Sequence, residues 1–427
     1  MSSTAPASGD HRRVRSHRGL VCHDLILSNG LRLLVLPTCG VPTVEVRLNL
    51  PFARHRRSDA AAMELLSATV MAAGGHGVAE RLADHGGECE VMVDPENLTF
   101  SAGALVTGLP DILDTLATAL GSPDYTVDQL DRARGRLLRG RPAEATESPG
   151  ARVWGPPAPA PAGELLDVTP DEVGGVHRKV LRPQGAVLCV AGDVDVDAVV
   201  TSVKATFGVW TGPSGEAPRL DLPPRRFPEP SVVERSGDRD NGTGLFLEAP
   251  SVPLRHPDHA ALHLANLMVA GCFPGRLVQA LRQREGLAYS VRSTMHKLRR
   301  SDWISISCSG PFTDPAELME TTRVTLTELA DRGPRPGELD AVRRYAVGVN
   351  RTAARGTGSL AHAVTAYAAH GVSPLWMLAA GERYAGVTED DVHRVLRSHF
   401  TPDRFGGVLT TGRPMSVKSG NTEGVNS

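Results

Sequence analysis

Apolar positions along the chain follow two rhythms. Apolar runs at 21–27 and 31–37 flank Ser28-Asn29-Gly30, and Asn-Gly between two apolar runs predicts a hairpin. Residues 44–50 (VEVRLNL) alternate strictly, 88–93 and 98–106 predict a pair of strands, and 186–191 (AVLCVA) predicts a buried strand. Elsewhere the period is that of a helix. Residues 59–71 predict a helix rich in Ala, Leu and Met and ended by Gly74-Gly75, and 78–84 a shorter one followed by Gly86-Gly87. Residues 109–120 place Leu109, Ile112, Leu113, Leu116 and Leu120 on one face. Helices are also predicted at 128–139, which is strongly basic, and at 196–207. Residues 140–163, rich in Pro, Ala and Gly, carry neither rhythm.

Residues 211–230 hold six prolines and little periodicity, as a linker would. A similar order then begins again. Strands are predicted at 244–248, 302–309 (DWISISCS) and 405–410, and helices at 257–269, 315–330, 336–350, 358–370 and 388–399. The pattern predicts an α+β protein of two related halves, 21–210 and 231–410. Residues 1–20 are expected to be a polar, basic, disordered lead-in, and 411–427 a floppy tail. The duplication rests on element order, since the halves show no visible identity.

Composition narrows the picture. A chain of 427 residues exceeds one ordinary core, and 41% hydrophobic content supports a globular protein whose core, with only 4% aromatics, is built from Leu, Val and Ala. A formal charge of −2 points to no nucleic-acid or membrane partner. No apolar run is long enough to span a bilayer, and the N-terminus lacks the apolar core of a secretory signal. The six cysteines are scattered with no Cys-x-x-Cys, which suits reduced thiols and a cytoplasmic setting.

The most informative stretch is 270–292, AGCFPGRLVQALRQREGLAYSVR. A turn (Gly271, Pro274, Gly275) leads into a short helix burying Leu277, Ala280 and Leu281. Gly286 closes that helix, and 287–291 reads as a strand with Leu287, Tyr289 and Val291 alternating. Arg282 and Tyr289 then point into one space. A permanently charged guanidinium and a phenol suit a carbonyl oxygen that becomes negative. "GRL-x-x-x-LR-x-x-x-GLAYSV" resembles the second-half signature of the insulinase-like zinc peptidases, the group of pitrilysin and mitochondrial processing peptidase. The resemblance covers roughly residues 20 to 410. It implies two halves, each a helix-backed mixed sheet. It also implies that Arg282 and Tyr289, seven residues apart, reach into an active site and help hold the substrate.

In catalytic members of that family a first-half helix carries His-x-x-Glu-His, with a further glutamate downstream. Two histidines on one helical face ligate zinc, and the glutamate between them is the general base. Counting back from Val70–Gly74 places the motif on Leu65-Leu66-Ser67-Ala68-Thr69, and the distal glutamate near 139–141, which are Arg139, Gly140 and Arg141. None of these can ligate zinc, and no His-x-x-Glu-His occurs in the chain. His76, Glu80 and His85, or His256, His259 and His263, have spacings that a metal site needs, but a solvated helix start accounts for such spacings equally well. Cys272 has no evident base partner. The basic helix, with Arg132, Arg134, Arg136, Arg139 and Arg141, is either a solvated face or a patch for an acidic peptide or partner surface.

Some members of the family divide labour between two chains, one keeping the zinc helix and the other completing the chamber. The resemblance therefore implies a non-catalytic, activity-essential subunit of a heterodimeric zinc endopeptidase. No cofactor is expected in this chain, and zinc is expected in a homologous partner bearing His-x-x-Glu-His. Two-chain bacterial members include enzymes that trim leader peptides. The alternative is a catalytically inactive scaffold or peptide-binding module.

Overall fold

A computed structural model of the chain describes residues 11–15, 19–51, 59–73, 82–93, 96–121, 124–139, 160–212, 232–237, 243–298, 301–310 and 315–412. Twelve strands among them form two sheets. The first contains β1 (His11–Arg15), β2 (Val21–Ile26), β3 (Arg32–Pro37), β4 (Thr43–Pro51), β5 (Glu88–Val93), β6 (Asn97–Leu105) and β7 (Val187–Gly192), in the order β1-β2-β3-β7-β4-β6-β5. The second contains β8 (Val232–Gly237), β9 (Thr243–Pro250), β10 (Ser290–Lys297), β11 (Asp302–Gly310) and β12 (Gly406–Gly412), in the order β10-β11-β9-β12-β8. Each sheet has one parallel pair, β3 with β7 and β12 with β8, and antiparallel pairs otherwise. Set β3 against β8, β4 against β9, β5 against β10, β6 against β11 and β7 against β12, and the two orders coincide. The repeat expected from element order is a repeat of topology, to which the first half adds the hairpin-linked β1 and β2.

The helices are α1 (Ala60–Ala73), α2 (Leu109–Gly121), α3 (Val127–Arg139), α4 (Ala162–Asp167), α5 (Pro170–Val180) and α6 (Val196–Phe207) in the first half. In the second they are α7 (His259–Asn266), α8 (Pro315–Arg332), α9 (Glu338–Ala353), α10 (Thr357–Ala369), α11 (Ala380–Ala385) and α12 (Glu389–His399). Two further segments, Leu267–Gly271 and Val278–Arg284, wind as π-helix. The fold is α+β, with helices packed against mixed sheets.

Strand β7 is buried along its whole length because both faces of the first sheet are covered. Leu188 and Val190 join a core with Leu33, Val35 and the first-half helices. Val187, Cys189 and Ala191 join Leu34 and Leu36 on the opposite face, and that face is closed by Leu360, Ala361, Val364 and Ala368 of α10, a helix of the second half. Arg32 fixes the seam: its guanidinium donates twice to Asp24, at 2.9 and 2.8 Å, and a third time to the Ala368 carbonyl at 3.2 Å. Gly358 permits the approach, since a Cβ there would lie 3.1 Å from Glu45 Oε1 and 3.2 Å from Arg47 Nη2.

Several elements differ from expectation. The lead-in is not structureless throughout, because β1 pairs antiparallel with β2. Helices α4 and α5 occupy a stretch for which no helix was expected. The signal for α5 is local: Thr169 accepts from the Glu172 amide at 3.3 Å, Glu172 accepts from the Thr169 amide at 2.7 Å, and Pro170 fills the first turn. Strand β8 and helix α11 were also unanticipated. Residues 213–230 of the expected linker, 140–159 of the irregular stretch, most of the expected 78–84 helix, and the tail beyond 412 lie outside the described residues.

Candidate functional site

The turn, helix and strand of 270–292 form as a single packed unit. Helix α7 runs into the π-helical segment Leu267–Gly271, and the chain turns at Cys272–Gly275. A Cβ on Gly275 would lie 2.8 Å from Ala270 Cα and 2.9 Å from the Val269 carbonyl, so the turn sits on the helix only with glycine there. Leu277, Val278, Ala280 and Leu281 are buried, leaving Arg282 outward. Gly286 has φ of 65°, the left-handed closure expected of it. The strand then starts later than its apolar alternation suggested. Ala288 donates its amide back to the Leu281 carbonyl at 3.0 Å, Leu287 and Ala288 are buried, and β10 begins only at Ser290. Tyr289 is held by its amide to the Ser309 carbonyl at 3.0 Å, while its ring is 74% exposed.

The predicted pair does converge. The Arg282 guanidinium carbon lies 5.5 Å from the Tyr289 ring centre and 5.7 Å from that of Phe273, itself 64% exposed. Two aromatic rings restrict the guanidinium without consuming its donors, and no carboxylate is paired with it among the described residues. Two π-helical segments flank this point, a geometry that recurs at functional sites.

Sequence reasoning missed the buried Arg276, the arginine of the GRL letters. It donates to both carboxylate oxygens of Glu338 and to the Gly333 carbonyl at 2.9 Å, locking the Arg282 segment to the start of α9. Burial pushes the Glu338 carboxyl up, but the hydrogen bonds from Arg276 and from the Arg335 amide outweigh it and leave it below the ordinary range. Cys272 is buried, donates to the Leu267 carbonyl, and burial raises its pKa, the reverse of an activated thiol.

A groove of about 640 Å³ opens beside Arg282 and Tyr289 and follows β10 to Lys297, with His263, Arg292 and Tyr345 along its wall. Strand β10 is an edge of its sheet. Burial is the main cause that pushes Lys297 down to about 8, with Arg383 adding to it against the pull of Asp302. Asp302 is raised to about 6 by burial, against the opposing effect of Lys297. His263 stacks on Tyr384 with ring centres 5.6 Å apart, and burial lowers it to about 4, so its imidazole is neutral at pH 7.

In the first half, α1 contains the Leu65–Thr69 segment. Leu65 and Leu66 are fully buried. Ser67 donates back to the Glu64 carbonyl at 2.8 Å, and Thr69 to the Leu65 carbonyl at 2.6 Å. Buried Glu64, one position earlier, accepts from the Ala160 amide at 2.9 Å. The basic helix α3 packs here, with Arg136 donating to the Ala68 carbonyl at 3.1 Å and Arg134 to the carbonyls of Leu165 and Val168. A cation on the very segment where the family's metal would sit is incompatible with a bound dication. The residues of this segment do not fit zinc.

Among the described residues no three His, Cys, Asp or Glu side chains converge as a metal site. His85 pairs with Asp111 at 3.0 Å, and burial lowers His259 to about 3. His76, Glu80 and Arg141 lie outside the described residues. No described helix is long and apolar enough to cross a membrane.

Two helix-backed sheets of one topology, with an arginine and a tyrosine presented at the edge of the second, define a peptidase-like two-half protein. The chain resembles the insulinase-like M16 peptidases over its second half and lacks the His-x-x-Glu-His by which their catalytic members hold zinc. The family model described as "Peptidase M16 inactive domain" matches residues 167–345. An uncharacterized zinc protease of Streptomyces coelicolor is 25% identical over 339 residues, covering 73% of this chain and 71% of that protein. Among solved structures, a peptidase M16 inactive domain from Pseudomonas fluorescens superposes with a TM-score of 0.78 at 18% identity, covering 92% of this chain and 98% of that one. The periplasmic protease PqqL of Escherichia coli superposes with a TM-score of 0.75 at 12% identity, covering 94% of this chain but only 48% of PqqL.

Proposed function

We propose that this chain is the non-catalytic half of a two-chain M16 endopeptidase, closing the chamber and holding the peptide while a homologous partner bearing His-x-x-Glu-His cleaves it. The observation that carries this reading is the contrast between the halves. At Leu65–Thr69 the metal position is filled by apolar and self-bonded side chains with Arg136 against them, whereas Arg282, unpaired among the described residues, stands between two exposed rings. A scaffold has no need to keep a guanidinium restrained and uncommitted. The match to about half of the longer PqqL supports a chain that supplies one half of a larger enclosure. The metal chemistry belongs to the partner. This chain's contribution is to orient a peptide carbonyl with the Arg282 guanidinium and the Tyr289 phenol and to stabilise charge developing on its oxygen. Leader peptides are the substrate class to assay first.

The test is steady-state cleavage by the co-purified pair. Losing one such donor costs on the order of a hundredfold to a thousandfold in turnover. Arg282→Ala and Tyr289→Phe should each do so without changing co-elution of the chains or the partner's zinc content. Arg282→Lys should rescue poorly, because a point charge does not reproduce a planar fork. Wild-type turnover in both single variants, or a partner fully active alone, overturns the reading.

A further inference from the structure

The groove that starts at Arg282 and Tyr289 does not end with them. Seven steps of strand separate Ser290 from Lys297, roughly 23 Å at about 3.3 Å per residue. Over that length the wall presents Arg292, exposed, and Lys297, partly buried at the far end, and no aspartate or glutamate lines the groove among the described residues. Asp302 faces Lys297 across the β10–β11 ladder and favours its charge, but no direct ion pair to Lys297 forms among the described residues. His263 adds a neutral imidazole beside the ammonium, and Arg383 adds a further cation that disfavours Lys297. A partly buried ammonium without a direct counter-ion is a costly arrangement for a folded chain to keep. It becomes favourable once an anion enters the groove. The Asn266 side chain, which donates to the Ser293 carbonyl at 3.3 Å, already occupies part of the strand edge, so side-chain charge rather than continuous backbone pairing has to discriminate among ligands here.

We infer that the β10 groove is a subsite for acidic peptide side chains, in which Lys297 receives an aspartate or glutamate lying about seven residues along the peptide from the residue gripped by Arg282 and Tyr289, and Arg292 receives one lying about two residues along. This rests on the reading that Arg282 and Tyr289 hold a peptide. It adds a sequence preference that the pair alone does not supply.

Fluorescence anisotropy on the isolated full chain tests it. The probes are two fluorescein-labelled peptides of about fifteen residues, long enough to span the groove in extended form. They are identical except that one carries two glutamates five residues apart, matching the spacing of Arg292 and Lys297, and its twin carries glutamines there. The glutamate peptide should bind at least about tenfold more tightly at low ionic strength, with the gap shrinking as salt rises. Arg292→Glu, at an exposed site, and Lys297→Met, which removes a disfavoured charge, should each cut that preference to about threefold or less, since the preference rests on charge-assisted hydrogen bonds to these two cations. The glutamine peptide should be unaffected. Equal binding of the twins, a preference that survives both substitutions, or an oligonucleotide of equal charge competing as well as the glutamate peptide overturns the inference. If neither peptide binds, or binding ignores Arg282→Ala, the peptide-holding reading fails and takes this inference with it. Equal binding of the twins leaves that reading standing.

Discussion

Replacing Arg276 by alanine should unfold the protein more easily than any surface charge change, and the effect should depend on pH in a stated direction. The Arg276 side chain is 7% exposed and that of Glu338 18%, and the pair is bidentate, with Gly333 accepting a third bond. Removing one partner of a buried pair costs about 3–5 kcal/mol because the other charge is stranded. Glu338 keeps some solvent contact and its bond from the Arg335 amide, so a loss of about 3 kcal/mol is expected at pH 7. The native Glu338 carboxyl lies below its ordinary value. Its contribution is therefore present above the unfolded carboxylate pKa and is lost as pH falls through the lower, folded one. In Arg276→Ala the unpaired buried carboxyl protonates readily, so the gap between variant and wild type should narrow on acidification. Urea unfolding at pH 7 and again below pH 4 measures both effects. A loss under about 1 kcal/mol at pH 7, or a gap that does not narrow, refutes the argument. Replacing both residues by apolar side chains of similar size should restore most of the stability. Because Arg276 begins the segment that ends in Arg282, Arg276→Ala should also weaken peptide binding without touching the peptide.

Two further outcomes follow from other parts of the structure. Lys297 is ordinarily protonated up to 10.5 but is held down to about 8 in the fold, so stability should rise with pH between those values and Lys297→Met should abolish that rise, as read by thermal melts across the range. Leu360→Ala, at the closed face between α10 and the first sheet, should cost about 2–5 kcal/mol and split a single unfolding transition into two, seen by calorimetry.

What could be read in advance was what is written locally. Asn29-Gly30 made its hairpin, with Gly30 at φ of 88° and the Asn29 side chain accepting the Leu31 amide at 3.2 Å. Gly286 closed its helix, and the spacing of Arg282 and Tyr289 carried through to contact. The start of β10 was misplaced because apolar alternation at 287–291 cannot register the Ala288 amide turning back to Leu281. Helix α5 had a readable capping box at Thr169 and Glu172, overlooked beside a stretch rich in Pro, Ala and Gly. The arginines of α3 looked like a solvated face or a binding patch. Arg134 and Arg136 instead satisfy backbone carbonyls up to 68 positions away in sequence, a role that no spacing within the helix encodes. The reach of α10 across the halves is likewise invisible in a run such as AHAVTAYAA, which is apolar enough for any sheet and names none.

That reach has a consequence for how the protein comes into being. The ribosome completes all seven strands of the first sheet by Gly192, yet Leu34, Leu36, Val187, Cys189 and Ala191 have no cover until Thr357–Ala369 has been synthesised. For some 165 residues of translation, from Gly192 to Thr357, the nascent first half carries a bare apolar face. Domains that fold as units while still on the ribosome escape that exposure. This one finishes folding only when its second half arrives, so cutting the gene at the proline-rich stretch should yield an N-terminal piece that aggregates or stays bound to chaperones. Expressing residues 357–369 on a separate chain should rescue it.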